Sequence, residues 1–264
     1  MRCPVCKEMT RLFGSARVLD KYTGRFRRCP RCNFLFAEEP VWLEQAYAEA
    51  ITPSDIGLVD RNLWFCRVAH TIVTLCCDAN GKFLDYGGGT GLFTRLMRDS
   101  GYDWHCIDQG CPNFFAQEFS VADIGAEQYE LITAAELLEH LPDPLTLVQQ
   151  LQACSANLLY TTQLLPDPPP ALDSWWYYGL EHGQHVSFYS LRTLAVIGDI
   201  TGWKLSSNGT NLHLFSRHHI STTLFRLITS PFFTGLVSLV WQRSSLLQAD
   251  FARLGKRSDH AHRS

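Results

Sequence analysis

Four cysteines near the start of the chain fall in two matched pairs, Cys3-Pro-Val-Cys6 and Cys29-Pro-Arg-Cys32. Two thiolates at C-x-x-C spacing offer one edge of a tetrahedral site, so two such pairs offer a complete Zn²⁺ shell. The 22 residues between the pairs allow a short hairpin, with a turn at Thr23-Gly24-Arg25. A segment this small cannot bury a core, so the metal is expected to supply the folding energy. Four thiolates leave no open position, which makes the expected zinc structural and not catalytic. A redox C-x-x-C would need a thioredoxin-like strand-to-helix setting, which neither pair has. The remaining cysteines (Cys66, Cys76, Cys77, Cys106, Cys111 and Cys154) lack metal spacing and are expected as small core residues.

The second chemical signal is the stretch KFLDYGGGTGLF, Lys82 to Phe93. A short apolar strand runs into Asp85 and then into Gly87, Gly88, Gly89 and Gly91. The pattern is G-x-G-x-G. Position 92, where a dinucleotide fingerprint carries its third glycine, is Leu92. No Gly-Lys-Ser/Thr follows, so the phosphate-cradling P-loop is absent as well. A carboxylate at the mouth of the turn repels a pyrophosphate and suits a positively charged ligand. S-adenosylmethionine carries an ammonium and a sulfonium and no phosphate. Asp108 ends the next apolar run, WHCID, where a carboxylate can accept two hydrogen bonds from ribose hydroxyls. FSVADI, Phe119 to Ile124, is expected as the next strand, and Asp123 near its end could accept a bond from an adenine amino group. Each lone Asp could instead serve a strand-end turn or a helix cap.

Two histidines are placed to do proton chemistry. His140, in ELLEHLPDP, has Glu136 and Glu139 within one helical turn. His185, in GLEHGQHVSFYS, has Glu181 and His182 beside it. Histidine is the natural base near neutral pH. His185 is the first candidate for base and His140 the second; the structural alternative for each is to pin a loop. The His182-x-x-His185 pair suggests a metal, but the sequence offers no evident third ligand. Ser174 to Tyr178, SWWYY, is expected either to cover the site as an aromatic lid after the Pro-rich PDPPPALD or to pack on the sheet edge.

These groups must be carried by an α/β framework. Hydrophobic residues make up 46% of the 264 and charged residues 19%, a core-forming balance. The net charge of -3 implies no broad basic surface, so nucleic acid is not the expected partner. The stretch MRCPVCKEMTRLF lacks the apolar h-region of a signal peptide, which points to a reducing cytoplasm. Leu58 to Ala79 has apolar residues at helical spacing. From Lys82 onward strand and helix patterns alternate, which argues a doubly wound, mostly parallel sheet. Ser190 is a good N-cap for LRTLAVIGDITG, and two strands are expected around Asn208-Gly209. In the tail, Leu224 to Trp241 is apolar but interrupted by Arg226 and Pro231, which argues against a spanning helix. Helices packing on the domain or on a second subunit are expected there, with a membrane-surface contact as the alternative.

Taken together, FLDYGGGTGLF, HCID, YELITAAELLEHLPDP and HVSFYS resemble the class I S-adenosylmethionine-dependent methyltransferases. With the cysteine pairs, the chain resembles the bacterial group that carries an N-terminal four-cysteine zinc ribbon. The match runs from about Cys3 to Arg217. The resemblance implies an α/β, Rossmann-like methyltransferase sheet of seven strands, doubly wound, with the last strand antiparallel. It implies a zinc ribbon at 1–40, a cofactor-binding domain at 41–217 and a helical extension at 218–264. It places Asp85, Gly87, Gly89 and Gly91 along the methionine part of S-adenosylmethionine, with Tyr86 and Gly88 also among the cofactor-binding residues. Asp108 would meet the ribose, with Gln109 beside it among the cofactor-binding residues, and Asp123 and Ile124 the adenine. Ala134, Ala135 and Glu136 would close the pocket under the sulfonium. One departure is Tyr86, where the family carries a small or apolar residue. The implied activity is methyl transfer to a small-molecule acceptor such as a sugar or nucleotide-linked sugar hydroxyl. The alternatives are a methyltransferase-like binding module and an RNA methyltransferase that grips its partner through the ribbon.

Overall fold

The computed structural model describes residues 1–47, 56–125 and 127–261. The chain opens with three antiparallel strands, β1 (Arg11–Val18), β2 (Tyr22–Arg28) and β3 (Leu35–Glu38), and the one-turn helix α1 (Leu43–Ala46). Helix α2 (Leu58–Cys76) precedes the alternating region, which comprises β4 (Lys82–Tyr86), α3 (Leu92–Asp99), β5 (Asp103–Ile107), β6 (Leu131–Ala135), α4 (Pro144–Cys154) and β7 (Leu158–Thr161). Then come β8 (Ser187–Phe188), α5 (Leu191–Thr201), β9 (Lys204–Ser207) and β10 (Leu212–Ser216), followed by helices α6 (Thr222–Ile228), α7 (Pro231–Val240) and α8 (Leu247–Ala261).

Six strands form the main sheet in the order β5-β4-β6-β7-β10-β9. β4 runs parallel to β5 and β6, while β10 runs antiparallel to β7 and β9. That is the doubly wound arrangement anticipated, with its antiparallel last strand but with six strands in place of seven among the described residues. The segment expected as the further strand, Phe119 to Ile124, makes a single parallel bridge from Ser120 to Cys106. A 3-10 turn over Gln117–Phe119 precedes it, and the Asn113 side chain donates to the Ser120 hydroxyl and to the Ala116 carbonyl. Beyond the bridge only Val121 and Ile124 favour a strand, and Gly125 at φ 58° turns the chain.

The chain divides into two compact units, Met1–Pro53 with Ala134–Arg226 and Ser54–Thr133 with Leu227–Ser264. In the first, β3 pairs along its outer edge with β8, Leu35 opposite Phe188 and Phe36 opposite Ser187, so the cysteine-bearing strands belong to a four-stranded sheet. Phe26, Leu35, Trp42, Tyr177, Tyr178 and Phe188 fill its core. Two rings of the supposed aromatic lid are therefore core residues, and only Trp176, at 75% exposure, faces solvent fully. Ser190 caps α5 as anticipated: its hydroxyl accepts from the Thr193 amide at 3.1 Å, and the Thr193 hydroxyl accepts from the Ser190 amide at 3.2 Å.

In the second unit, α2 buries Phe65, Val68, Ala69 and Ile72, and α7 packs on it. Helix α8 is fastened by Asp250, which accepts from Arg98 Nε at 2.9 Å and Nη2 at 2.7 Å and from Arg95 Nη1 at 3.0 Å. Both Arg98 and Asp250 are buried. Cys106 and Cys154 are buried as anticipated, whereas Cys76 is exposed. Among the described residues no single helix is long and apolar enough to cross a membrane.

Candidate functional site

The glycine turn follows β4 in the second unit. Gly87, Gly89 and Gly91 have φ of 74°, 54° and 78°, so every other position takes the left-handed conformation that glycine adopts at little cost. Gly88 matters for proximity instead. A Cβ there would lie 2.8 Å from Asp85 Oδ2 and 2.9 Å from Cys106 Cβ. Next to Gly89 the equivalent space is empty to 4 Å. The Gly89 amide donates to Asp108 Oδ2 at 2.8 Å, which ties the turn to the end of β5. Asp108 Oδ1 accepts from the Gly110 and Cys111 amides, both at 2.8 Å. Three of the carboxylate's four lone-pair positions are engaged, leaving one for a ribose hydroxyl where the spacing argument allowed two.

Asp85 is buried, and its Oδ1 accepts from the Thr133 hydroxyl at 2.7 Å. Burial pushes its carboxyl up to about 7; the Thr133 bond works the other way and the Asp108 charge adds to the rise. Among the described residues no Lys, Arg or His pairs with it. A buried carboxylate without a cation, beside a turn with open space at Gly89, fits a ligand that brings an ammonium group, as S-adenosylmethionine does. Tyr86 is half-buried and Gln109 exposed; Asp123 is exposed and Ile124 half-buried on the loop after the Ser120 bridge.

Three more of the expected residues lie at the end of β6, in the first unit. Ala134 is buried and Ala135 exposed. Glu136 has φ 48°, an uncommon conformation for a residue with a side chain. It is held there because its amide donates to Thr161 Oγ1 at 2.9 Å while its carboxylate accepts from the same hydroxyl at 2.6 Å.

The cysteine pairs form two knuckles of one design. Lys7 and Asn33, each following a second cysteine, have φ of 60° and 63°. The Lys7 amide donates to Cys3 O and the Asn33 amide to Cys29 O, both at 3.0 Å. The Cys3 amide donates to Glu8 O and the Cys29 amide to Phe34 O, both at 2.8 Å. All four sulfurs lie within 4.8 Å of one another, with Cys3–Cys32 at 3.6 Å and Cys6–Cys29 at 3.4 Å. A tetrahedral ion with Zn–S bonds of about 2.3 Å sets its sulfurs roughly 3.8 Å apart, so the donor set fits Zn²⁺. The second knuckle also meets α5: Cys32 O accepts from Thr193 Oγ1 at 2.8 Å.

His140 and His185, distant in sequence, come together in the first unit with ring centroids 4.9 Å apart. His185 Nδ1 lies 2.7 Å from Tyr177 O. A carbonyl only accepts, so the proton is on Nδ1 and Nε2 keeps its lone pair. Burial holds His185 down at about 4 and His140 at about 3, with the neighbouring imidazoles adding to the depression, so both rings are neutral at pH 7. Glu139, fully buried, accepts from Tyr177 Oη at 2.6 Å. Burial, then the Glu136 charge, raises its carboxyl well above the usual range. In the sequence Glu139 stands out only as a neighbour of His140, Tyr177 only as one ring of the SWWYY stretch, and Thr133 not at all. Glu139 had a signal in its position beside a histidine after a strand; a hydroxyl in an apolar run such as LITAA carries none.

Residues 61–208, more than half of the chain, match the family described as "Methyltransferase domain". The chain belongs to that family, and its fold is that of the class I S-adenosylmethionine-dependent methyltransferases. Among curated proteins it is similar to the ubiquinone biosynthesis O-methyltransferase of Albidiferax ferrireducens, 31% identical over 93 residues, 28% of this chain and 37% of that one. It is similar to the protein of the same name from Haemophilus ducreyi, 30% identical over 101 residues, 28% of this chain and 42% of that one. The chain thus matches about two fifths of the length of these relatives. Among solved structures it shares its fold with 1,6-didemethyltoxoflavin-N1-methyltransferase of Burkholderia thailandensis, determined with 1,6-didemethyltoxoflavin and S-adenosylhomocysteine. The TM-score is 0.51 at 13% identity, covering 76% of this chain and 96% of that chain.

Proposed function

We propose that the protein binds S-adenosylmethionine at the Asp85 turn and transfers its methyl group to a hydroxyl of a small-molecule acceptor, a sugar or nucleotide-linked sugar being the first class to test. The observation that carries the cofactor reading is Asp85: a buried carboxylate with no cation partner among the described residues, above a turn that repels a pyrophosphate. Asp85 receives the ammonium, Asp108 contributes an acceptor for the ribose, and the Gly89 position leaves the room. Bound there, the cofactor supplies a methyl group already activated by its sulfonium. His185 accepts the acceptor's hydroxyl hydrogen at Nε2, because Tyr177 O holds the other nitrogen protonated. His140 stands beside it as the second acceptor-side group. The names of the curated relatives support a small-molecule oxygen acceptor, and the net charge of -3 does not favour RNA. Cys3, Cys6, Cys29 and Cys32 hold one structural Zn²⁺ in this reading. Calorimetry with S-adenosylhomocysteine, S-adenosylmethionine and NAD tests it: the first two should bind, and NAD binding with no response to the others overturns the assignment.

A further inference from the structure

Tyr177 joins two groups, Glu139 and His185, that the methyl-transfer reading uses only in part. Its hydroxyl donates to Glu139 Oε1 and its carbonyl receives His185 Nδ1. The free ends of both side chains then face the same place: the ligand atoms of Glu139, His140 and His185 all lie within 4.8 Å of one another. Glu139 Oε2 and His140 Nδ1 are buried without a hydrogen-bond partner. A buried polar atom ordinarily has one, so two orphans in one cluster mark a missing group. With Glu139 ionised, each offers a lone pair, as does His185 Nε2, so one cation can satisfy all three atoms at once. Histidine 182 does not fill the role, because its Nδ1 already accepts from the Gln184 amide at 3.2 Å.

We propose that Glu139, His140 and His185 hold a divalent cation, separate from the four-cysteine site. Two imidazoles and one carboxylate are the donors of Zn²⁺, Fe²⁺, Mn²⁺ and Co²⁺. Bonds of about 2.0–2.2 Å bring such ligands to roughly 3 Å from one another, so the side chains close on the ion by about an ångström. Tyr177 acts from outside the shell, fixing the carboxylate and the imidazole tautomer. Three protein ligands leave positions open for an oxygen of the acceptor. This part rests on the methyltransferase reading and amends one role in it: with the cation bound, His185 Nε2 is a ligand, an acceptor hydroxyl on the cation gives up its proton more readily, and solvent takes that proton in place of His185.

The test uses the full chain with one equivalent of Zn²⁺ in the cysteine site. Titration with Co²⁺ is followed by calorimetry and visible absorption. The expected result is one further equivalent with ligand-field bands and without the thiolate charge-transfer band that cobalt in the cysteine site gives. Glu139→Gln and His140→Ala should each weaken that uptake about 10-fold or more. The proposal fails if wild type takes up no second equivalent, or if uptake is unchanged in both variants. S-adenosylhomocysteine binding is measured on the same samples. Binding without the second equivalent removes the metal and keeps the methyltransferase reading; the second equivalent without binding does the reverse.

Discussion

Replacing Asp85 by Asn should raise stability and lower cofactor affinity at once. Asp85 is 4% exposed, and burial lifts its carboxyl from 3.8 to about 7. As pH rises through 4, the unfolded chain gives up a proton that the folded chain keeps. Folding therefore loses stability between about pH 4 and 7 and levels off above. Three pKa units correspond to about 4 kcal/mol by that point. Asparagine does not ionise, has the same shape, and can still accept from Thr133 through its oxygen. Ligand-free Asp85→Asn should then exceed wild type by about 2–4 kcal/mol at pH 8, with the difference closing toward pH 4. The same change removes the charge proposed to meet the cofactor ammonium. A hydrogen bond to a charged group is worth about 1.5–3 kcal/mol, or roughly 10–150-fold in affinity for S-adenosylhomocysteine. Urea unfolding without ligand at pH 5, 6.5 and 8, with calorimetry at pH 8, measures both. A variant less stable than wild type at pH 8, or one that binds S-adenosylhomocysteine as wild type does, refutes the argument.

Cys29→Ser should drop metal content by about one zinc per chain and open residues 1–40 to protease, while S-adenosylhomocysteine still binds at the glycine turn. His185→Ala should cut turnover by about 10²–10⁴-fold with cofactor affinity nearly unchanged; His140→Ala is the comparison, and activity retained in both would place acceptor activation elsewhere. Asp250→Ala removes two bonds from the buried Arg98 guanidinium, which keeps its bonds to Asp103 and the Trp104 carbonyl, and should cost about 1–3 kcal/mol in denaturant unfolding. Burial works to raise the Asp250 carboxyl, but Arg98 and Arg95 together hold it below the usual range, so its contribution is present above pH 4 and lost on acidification; acid titration of wild type against the variant reads this.

The parts legible in the sequence were those with local rules. C-x-x-C spacing, a carboxylate before glycines, alternating strand and helix, and a serine N-cap all depend on near neighbours in the chain. The strand expected at Phe119 to Ile124 shrinks to a bridge at Ser120, because beyond it only Val121 and Ile124 favour extended chain and Gly125 turns it. Tyr177 and Tyr178 read as lid because composition does not say which face of a loop meets a core. The link from Asp250 to Arg98 joins helix α8 to helix α3, and nothing in either segment announces the other. His140 and His185 stand out in the sequence, yet their meeting, with unsatisfied atoms on Glu139 and His140 beside it, required the fold.

The pairing of β3 with β8 has a consequence for how the chain is made. Leu35 and Phe36 leave the ribosome early, while Phe188 and Ser187, which cover that edge, come much later. At about 5–20 residues per second, an apolar strand edge stands bare for on the order of 10 s. Metal can close the two knuckles in that interval, but zinc does nothing for the unpaired backbone of β3. Bare edges of this kind recruit other strands, so the nascent protein is most prone to aggregate before residue 190 is synthesised. The cysteine segment is therefore a poor candidate for excision: cut free at residue 40, it would carry its metal and its sticky edge together.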